Sequence, residues 1–162
     1  MLRLATRHDA DAICAIYNLY VRDTTISFEE SAVSSEEMAE RINKVVSSNL
    51  PWFVIDNEGE IAGYAYATPW RVRHAYRYSV ETSVYLNQKY VGKGLGTLLY
   101  HHLFDALRQR GIHSVIAGIA QPNPASVTLH EKLGMKKVAH FKEVGFKFDR
   151  WIDVGYWELQ LA

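Results

Sequence analysis

Ser79-Val80-Glu81-Thr82-Ser83-Val84-Tyr85-Leu86 leads through Asn87 to Val91 into Gly92-Lys93-Gly94-Leu95-Gly96-Thr97, and from there into an apolar pattern that stops at Gly111. Tyr78 to Leu86 is dense in Val, Tyr, Thr and Ser, which predicts a strand. Leu95, Leu98, Leu99, His102, Leu103, Ala106 and Leu107 recur at helical spacing, so Gly94 to Arg110 reads as the clearest helix of the chain. Three alternating glycines therefore fall where a strand hands over to a helix. The first N–H groups of a helix lack internal partners, and the positive end of its dipole favours an anion. Such a turn can cup a pyrophosphate, with glycine letting the backbone approach closely. No Asp or Glu lies between Glu81 and Asp105, whereas Lys89 and Lys93 do. The alternative is a glycine-rich turn that only starts a helix. A Walker loop is excluded because no Gly-Lys-Ser/Thr closes the turn. A dinucleotide fingerprint would need glycine where Thr97 stands.

Upstream, Leu2 to Ala5 reads as a short strand, and Thr6 with Asp9 as a capping box opening a first helix. Ser34 and Glu37 open a second. Between them, Thr24 to Glu30 is a loop long enough to carry function. Trp52 to Ile55 and Ile61 to Thr68 flank the turn Asp56-Asn57-Glu58-Gly59 and read as a hairpin interrupted at Pro69. Downstream, Ser114 to Ile119 is an apolar strand, and Asn123 or Pro124 to Leu133 a short helix stopped by Gly134. Two strands near Lys137 to Phe148 and Trp151 to Leu161 complete the order βααβββαβαββ. That order predicts one α/β domain, residues 1–162, with a mixed sheet.

Composition narrows the class. A chain of 162 residues can bury a real core without staples. Lys plus Arg equals Asp plus Glu at 18 each, so no global field points to nucleic acid or a membrane surface. The single cysteine, Cys14, excludes a disulfide framework and a cysteine-based zinc site. No apolar run has the length of a membrane span, and the first residues do not read as a signal peptide. A soluble, cytoplasmic protein is expected. Aromatics at 12% lean towards a small-molecule pocket with amphipathic walls.

Ser79 to Leu86 with the glycine-rich turn resembles the central strand and acetyl-CoA loop of the GNAT superfamily of N-acetyltransferases. Asn123-Pro124-Ala125-Ser126-Val127-Thr128-Leu129-His130-Glu131-Lys132-Leu133-Gly134-Met135 is similar to that family's second signature. Thr68-Pro69-Trp70-Arg71-Val72-Arg73, Tyr76, Val80-Glu81, Leu129-His130-Glu131 and Gly145-Phe146-Lys147 with Trp151 to Gly155 most resemble phosphinothricin and methionine sulfoximine acetyltransferases. Val91 departs from the Gln or Arg usual at the start of the loop motif, a small loss if the loop acts through its backbone.

The resemblance implies a mostly antiparallel central sheet with a splayed strand pair, about four flanking helices, acetyl-CoA as co-substrate, no metal and a homodimer. It places Val84, Tyr85 and Leu86 along the pantetheine. Gly92, Lys93, Gly94, Leu95, Gly96 and Thr97 would hold the pyrophosphate, and Asn123 the arm near the thioester. An amine must lose a proton to attack a thioester. Glu81 is the candidate base, acting through water, with partial burial raising its pKa; by periodicity alone it reads as a solvated strand carboxylate or a partner of Arg77. His130 stands where many relatives carry a tyrosine that protonates the leaving thiolate, and also reads as a helix histidine packed on the sheet.

Substrate choice is expected in Trp70 to Tyr78. No acid occurs between Glu60 and Glu81, and an arginine fork suits the carboxylate of an amino acid. Arg71, Arg73 and Tyr76 are the candidates, with Phe28 and Glu29 as wall and polar contact; a solvated basic loop is the other reading, and the preferred one for Arg77. Trp151 and Asp153 are expected to order the last hairpin or a dimer contact. The function expected is transfer of acetyl to the α-amine of a small amino acid or analogue. Acetylation of a peptide N-terminus and a non-catalytic acetyl-CoA-binding module are the alternatives.

Overall fold

The computed structural model describes residues 1–161. Its seven strands are β1 (Leu2–Leu4), β2 (Trp52–Asn57), β3 (Glu60–Pro69), β4 (Ser79–Leu86), β5 (Ser114–Ala120), β6 (Lys136–Lys147) and β7 (Arg150–Gln160). Four helices accompany them: α1 (Ala10–Asp23), α2 (Ser35–Ser47), α3 (Leu95–Gln109) and α4 (Pro124–Lys132). The strands form one sheet in the order β1-β2-β3-β4-β5-β7-β6, and only β4 and β5 run parallel. The expected mixed, mostly antiparallel sheet with about four helices is what the chain adopts.

Local chemistry explains the starts of the helices. Thr6 Oγ1 accepts from His8 N–H and the Asp9 carboxylate accepts from Thr6 N–H, the two halves of a capping box. One 3-10 turn intervenes before α1. Asp9 is also gripped at both oxygens by Arg3, each at 2.9 Å, which ties β1 to the helix and holds the carboxyl below its usual range. Ser34 Oγ accepts from Glu37 N–H and opens α2. Pro69 does not break its strand: it closes β3 in register with Val80, at a sheet position where a missing N–H is tolerated.

The two faces of the sheet are covered differently. Tyr85 of β4 meets Tyr17 and Tyr20 of α1 at 5.2 Å between ring centroids, so its face is the α1/α2 face. Thr82, of opposite parity, meets Tyr100 of α3. Alternation along β4 therefore puts Glu81, Ser83 and Tyr85 on the α1/α2 face and Val80, Thr82, Val84 and Leu86 on the α3 face. Trp52, Tyr64 and Tyr66 stack under α1 and α2, while Leu99, Tyr100, Leu103 and Leu107 are buried on the other side.

Candidate active site

The site begins with a missing piece of sheet. β4 and β5 pair only at Ser79–Ser114, Val80–Val115 and Glu81–Ile116. Beyond Glu81, β4 stays on β3 as far as Leu86–Gly63, and β5 stays on β7 as far as Ala120–Val154. Asn87 N–H donates to Ala62 O at 2.9 Å and Trp70 N–H to Ser79 O at 3.1 Å. These bonds fix the hydrogen-bonded set as the one containing Glu81–Thr68, Ser83–Tyr66 and Tyr85–Tyr64. Thr82, Val84 and Leu86 therefore turn their main-chain groups away from β3; past the last pair with β5, at Glu81–Ile116, those of Val84 and Leu86 face the gap. The Leu86 carbonyl accepts from Tyr20 Oη at 2.6 Å. Tyr85, by contrast, directs its main chain to β3 and only its ring towards α1.

Between the parted strands lies a slot of about 60 Å³. Thr82 to Tyr85 and Gly118 to Ala120 form its two walls. Tyr100, Asn123, Ser126 and His130 line it on the α3/α4 side, and Ile26 on the α1/α2 side. Asn123 caps α4, its Oδ1 accepting from Ser126 N–H. Chain topology thus carries the slot through the sheet, from the helix α3 side to the face that bears Glu81.

The glycine-rich turn meets the slot at α3. Gly92 and Gly94 take φ +80° and +78°, which is where glycine is required. Gly94 precedes Leu95, and the first helical bond is Leu98 N–H to Gly94 O. The N–H groups of Leu95, Gly96 and Thr97 are left without helical partners. Gly96 serves a different end: a Cβ there would stand 3.1 Å from Leu129, so its absence lets α4 close on α3. The Lys93 ammonium lies 5.3 Å above the Tyr90 ring. Unbonded N–H groups without a nearby acid suit a diphosphate, and the main-chain groups in the gap suit an amide-bearing chain such as pantetheine.

Glu81 stands at the fork, half-buried on the α1/α2 face. Burial raises its pKa, and Arg71 pulls it back part of the way. Tyr156, on β7, shares this face and also feels both charges. Trp70 packs edge-on against Tyr156, Phe141 does the same from β6, and the Arg71 guanidinium lies 4.0 Å over the Trp70 ring. Glu81 is thus a carboxylate on the same face as the Tyr156 ring, within the field of Arg71, and not a partner of Arg77, which stacks on Tyr78.

His130 is 3% exposed. Its Nδ1 lies 2.7 Å from Ser126 O, an acceptor, so Nδ1 carries the proton. Nε2 then accepts from Tyr100 Oη at 2.8 Å. Burial lowers the pKa of His130 and raises that of Tyr100, which favours the neutral imidazole and the intact phenol. Both protons of the Tyr100–His130 pair are thus engaged in the wall of the slot, the phenol's by His130 Nε2 and the imidazole's by Ser126 O.

The substrate candidates divide between two walls. Arg71, Arg73 and Tyr76 are exposed in the β3–β4 loop, and among the described residues neither arginine makes a salt bridge. On the other wall, Phe28 packs its ring on Gly145 of β6. Glu29 is already engaged: Arg41 takes both its oxygens, at 2.9 and 2.7 Å, and Tyr17 donates to it as well. Its carboxyl is held below the usual range chiefly by Arg41. Glu29 thus braces the loop. Lys147, 1% exposed, donates to the carbonyls of Val21, Thr24 and Ser27, each at 2.7 Å.

This arrangement has relatives. Residues 2–155 match the model of the acetyltransferase (GNAT) domain. The chain belongs to the GNAT acetyltransferase family. It is 38% identical over 157 residues to the phosphinothricin N-acetyltransferase of Streptomyces viridochromogenes, covering 97% of this chain and 85% of that one. It is 36% identical over 160 residues to the L-methionine sulfoximine/L-methionine sulfone acetyltransferase of Salmonella typhimurium, covering 99% and 94%. The solved GNAT phosphinothricin acetyltransferase of Sinorhizobium meliloti, in complex with AcCoA, superposes with a TM-score of 0.96 at 36% identity, covering 100% and 88%. The chain is accordingly an acetyl-CoA-dependent GNAT N-acetyltransferase.

Sequence reasoning left Gly118, Tyr156, Tyr100 and Ile26 out of this GNAT site. A glycine inside the apolar run Ser114 to Ala120 was the one available signal, since it marks a close approach. Tyr156 and Tyr100 reach the site through strand order and helix packing, which a linear pattern does not contain.

Proposed function

We propose that this enzyme acetylates the α-amine of a small amino acid or analogue such as phosphinothricin, methionine sulfoximine or methionine sulfone, by direct attack in a ternary complex. The observation that carries the reading is the fork: Glu81 lies where the slot opens, with Arg71 beside it and Arg73 in the same loop. Acetyl-CoA supplies an activated acetyl thioester. Val84 and Leu86 hold its pantetheine through their main chain, Gly92 to Thr97 its diphosphate, and Asn123 the arm near the sulfur. Glu81, through water, takes the proton of the substrate ammonium. Arg71 and Arg73 hold the carboxylate, and Phe28 and Tyr76 shape the pocket. The departing thiolate takes its proton from the Tyr100–His130 pair, through the Tyr100 hydroxyl turning from His130 Nε2 to the sulfur. The lone Cys14 is buried in α1 away from the slot, which speaks for direct attack and against an acetyl-enzyme.

We also propose a homodimer. Phe141, Val144, Phe146, Phe148 and Trp151 are all more than half exposed along the β6–β7 hairpin, an apolar surface of the kind that subunits cover. Residues 1–162 are read as one acetyltransferase domain, and the cytoplasm is the proposed location. No described helix is long and apolar enough to cross a membrane.

The test is thiol release from acetyl-CoA with a panel of amino acids, both methionine derivatives, phosphinothricin, simple amines and short peptides. Release confined to amines that carry a neighbouring carboxylate supports the reading. Release with peptides alone moves the acceptor to a protein N-terminus, and tight acetyl-CoA binding with silence throughout makes the protein a binding module.

A further inference from the structure

The slot has one wall that belongs neither to the sheet nor to α3 and α4: Ile26, from the loop between α1 and α2. Its side chain is 43% exposed, yet the backbone around it is fixed. Lys147 draws in the carbonyls of Val21, Thr24 and Ser27. Thr24 Oγ1 donates to Tyr20 O and accepts from Ile26 N–H, and Tyr17 Oη meets Ser27 Oγ at 2.7 Å. An apolar side chain with that much free surface gains little from its own burial, so folding alone does not account for anchoring the loop so firmly. What the anchoring does is hold Ile26 at one distance from Ser83 and Gly118, at the mouth where the slot reaches the face of Glu81.

We infer that Ile26 sets the length of the acyl group this enzyme transfers. The inference rests on the acyl-transfer reading of the slot: a donor entering from the α3 side brings its thioester out on the α1/α2 face. The reaction is unchanged by acyl length, since the amine nitrogen forms a bond to the acyl carbon, the carbon–sulfur bond breaks, and the proton lost by the amine is matched by one gained by the thiolate. An acetyl methyl would fit beside Ile26. Each added methylene of a propionyl or butyryl group would crowd that side chain, because the slot holds only about 60 Å³ and Ile26 is its wall on this face. Overpacking against a fixed wall is destabilising, so the discrimination falls on the donor.

The experiment compares kcat/KM for acetyl-CoA, propionyl-CoA and butyryl-CoA, with one saturating amino-acid acceptor, in the wild type and in Ile26→Val and Ile26→Ala. The ratio of butyryl-CoA to acetyl-CoA should rise in steps, about tenfold or more in Ile26→Ala, and the rise should come from butyryl-CoA. A ratio within twofold of wild type in both variants overturns the inference. So does an equal fall with all three donors accompanied by a higher KM for the acceptor, the mark of a loosened loop. Because Ile26 is partly exposed, both variants should fold. Absence of transfer from every donor in the wild type would instead defeat the acyl-transfer reading itself.

Discussion

The Oε2 atom of Glu81 lies 3.6 Å from the point where a Cβ on Gly118 would stand. Carboxylate and glycine face each other across the fork, and the glycine keeps open the space in front of Glu81. A Cβ there would also come within 3.0 Å of the Tyr156 ring. Gly118→Ala should therefore push Tyr156 aside and narrow the acceptor site. We expect kcat/KM for the amino acid to fall about tenfold or more, with the melting temperature barely moved, read by steady-state kinetics and thermal unfolding.

Glu81→Gln keeps the shape and removes the base, so kcat at neutral pH should fall roughly 10²- to 10⁴-fold. The sign of the pH dependence follows from burial, which raises the Glu81 pKa. A base acts in its deprotonated form, so if Glu81 is the base the wild-type rate should climb as pH rises through a value above the usual carboxylate range. A profile that keeps this limb in Glu81→Gln would reject the assignment.

Arg71 and Arg73 are tested by replacement with methionine, which retains the stem of the side chain. If they hold the carboxylate, KM for the amino acid should rise about tenfold to hundredfold for the more important of the two. The KM for acetyl-CoA should stay where it is. Equal loss with a simple amine lacking a carboxylate would assign these residues another role.

Tyr100→Phe removes the hydroxyl between Thr82 and His130. We expect kcat to fall about tenfold to hundredfold with a coenzyme-A analogue of high thiol pKa, and less with a better leaving group. His130→Gln should show the same dependence on the leaving group. Insensitivity to the leaving group in both would leave the pair with a packing role alone.

Lys147→Met strips three buried carbonyls of their donor. Burial lowers the pKa of this lysine while Glu30 and Glu29 raise it. Three acceptors around one nitrogen suit an ammonium, which has three protons to give. The variant should lose about 3 kcal/mol of stability, measured by urea unfolding. Preserved stability would mean that the loop finds water in place of the lysine.

Legibility varied with the kind of signal. The Thr6–Asp9 capping box, the Ser34 cap of α2, the hairpin around Asp56 to Gly59 and the long helix from Gly94 could be read because caps, turns and period are local; the box expected at Ser34 is only half formed, since the Glu37 carboxylate goes to Arg41. Pro69 misled by composition, since a proline at the end of a strand loses no ladder bond that matters. Glu81 and Arg71 come together as a loop and strand close in sequence would allow. Glu29 looked like a free polar contact because its two partners, Tyr17 and Arg41, sit 12 residues away on different helices. Lys147 reaches across 120 to 126 residues to its carbonyls, a relationship no window along the chain contains.

Three register pairs are all that join the four strands on one side of the fork to the three on the other. The middle of this sheet is therefore also one of its edges. Protection against hydrogen exchange usually peaks in central strands; here the amides of Val84 and Leu86 should exchange like those of a rim until a bound pantetheine fills the opening. Held there as proposed, the acyl donor would stand in for an eighth strand, and the enzyme would complete its own architecture once per turnover.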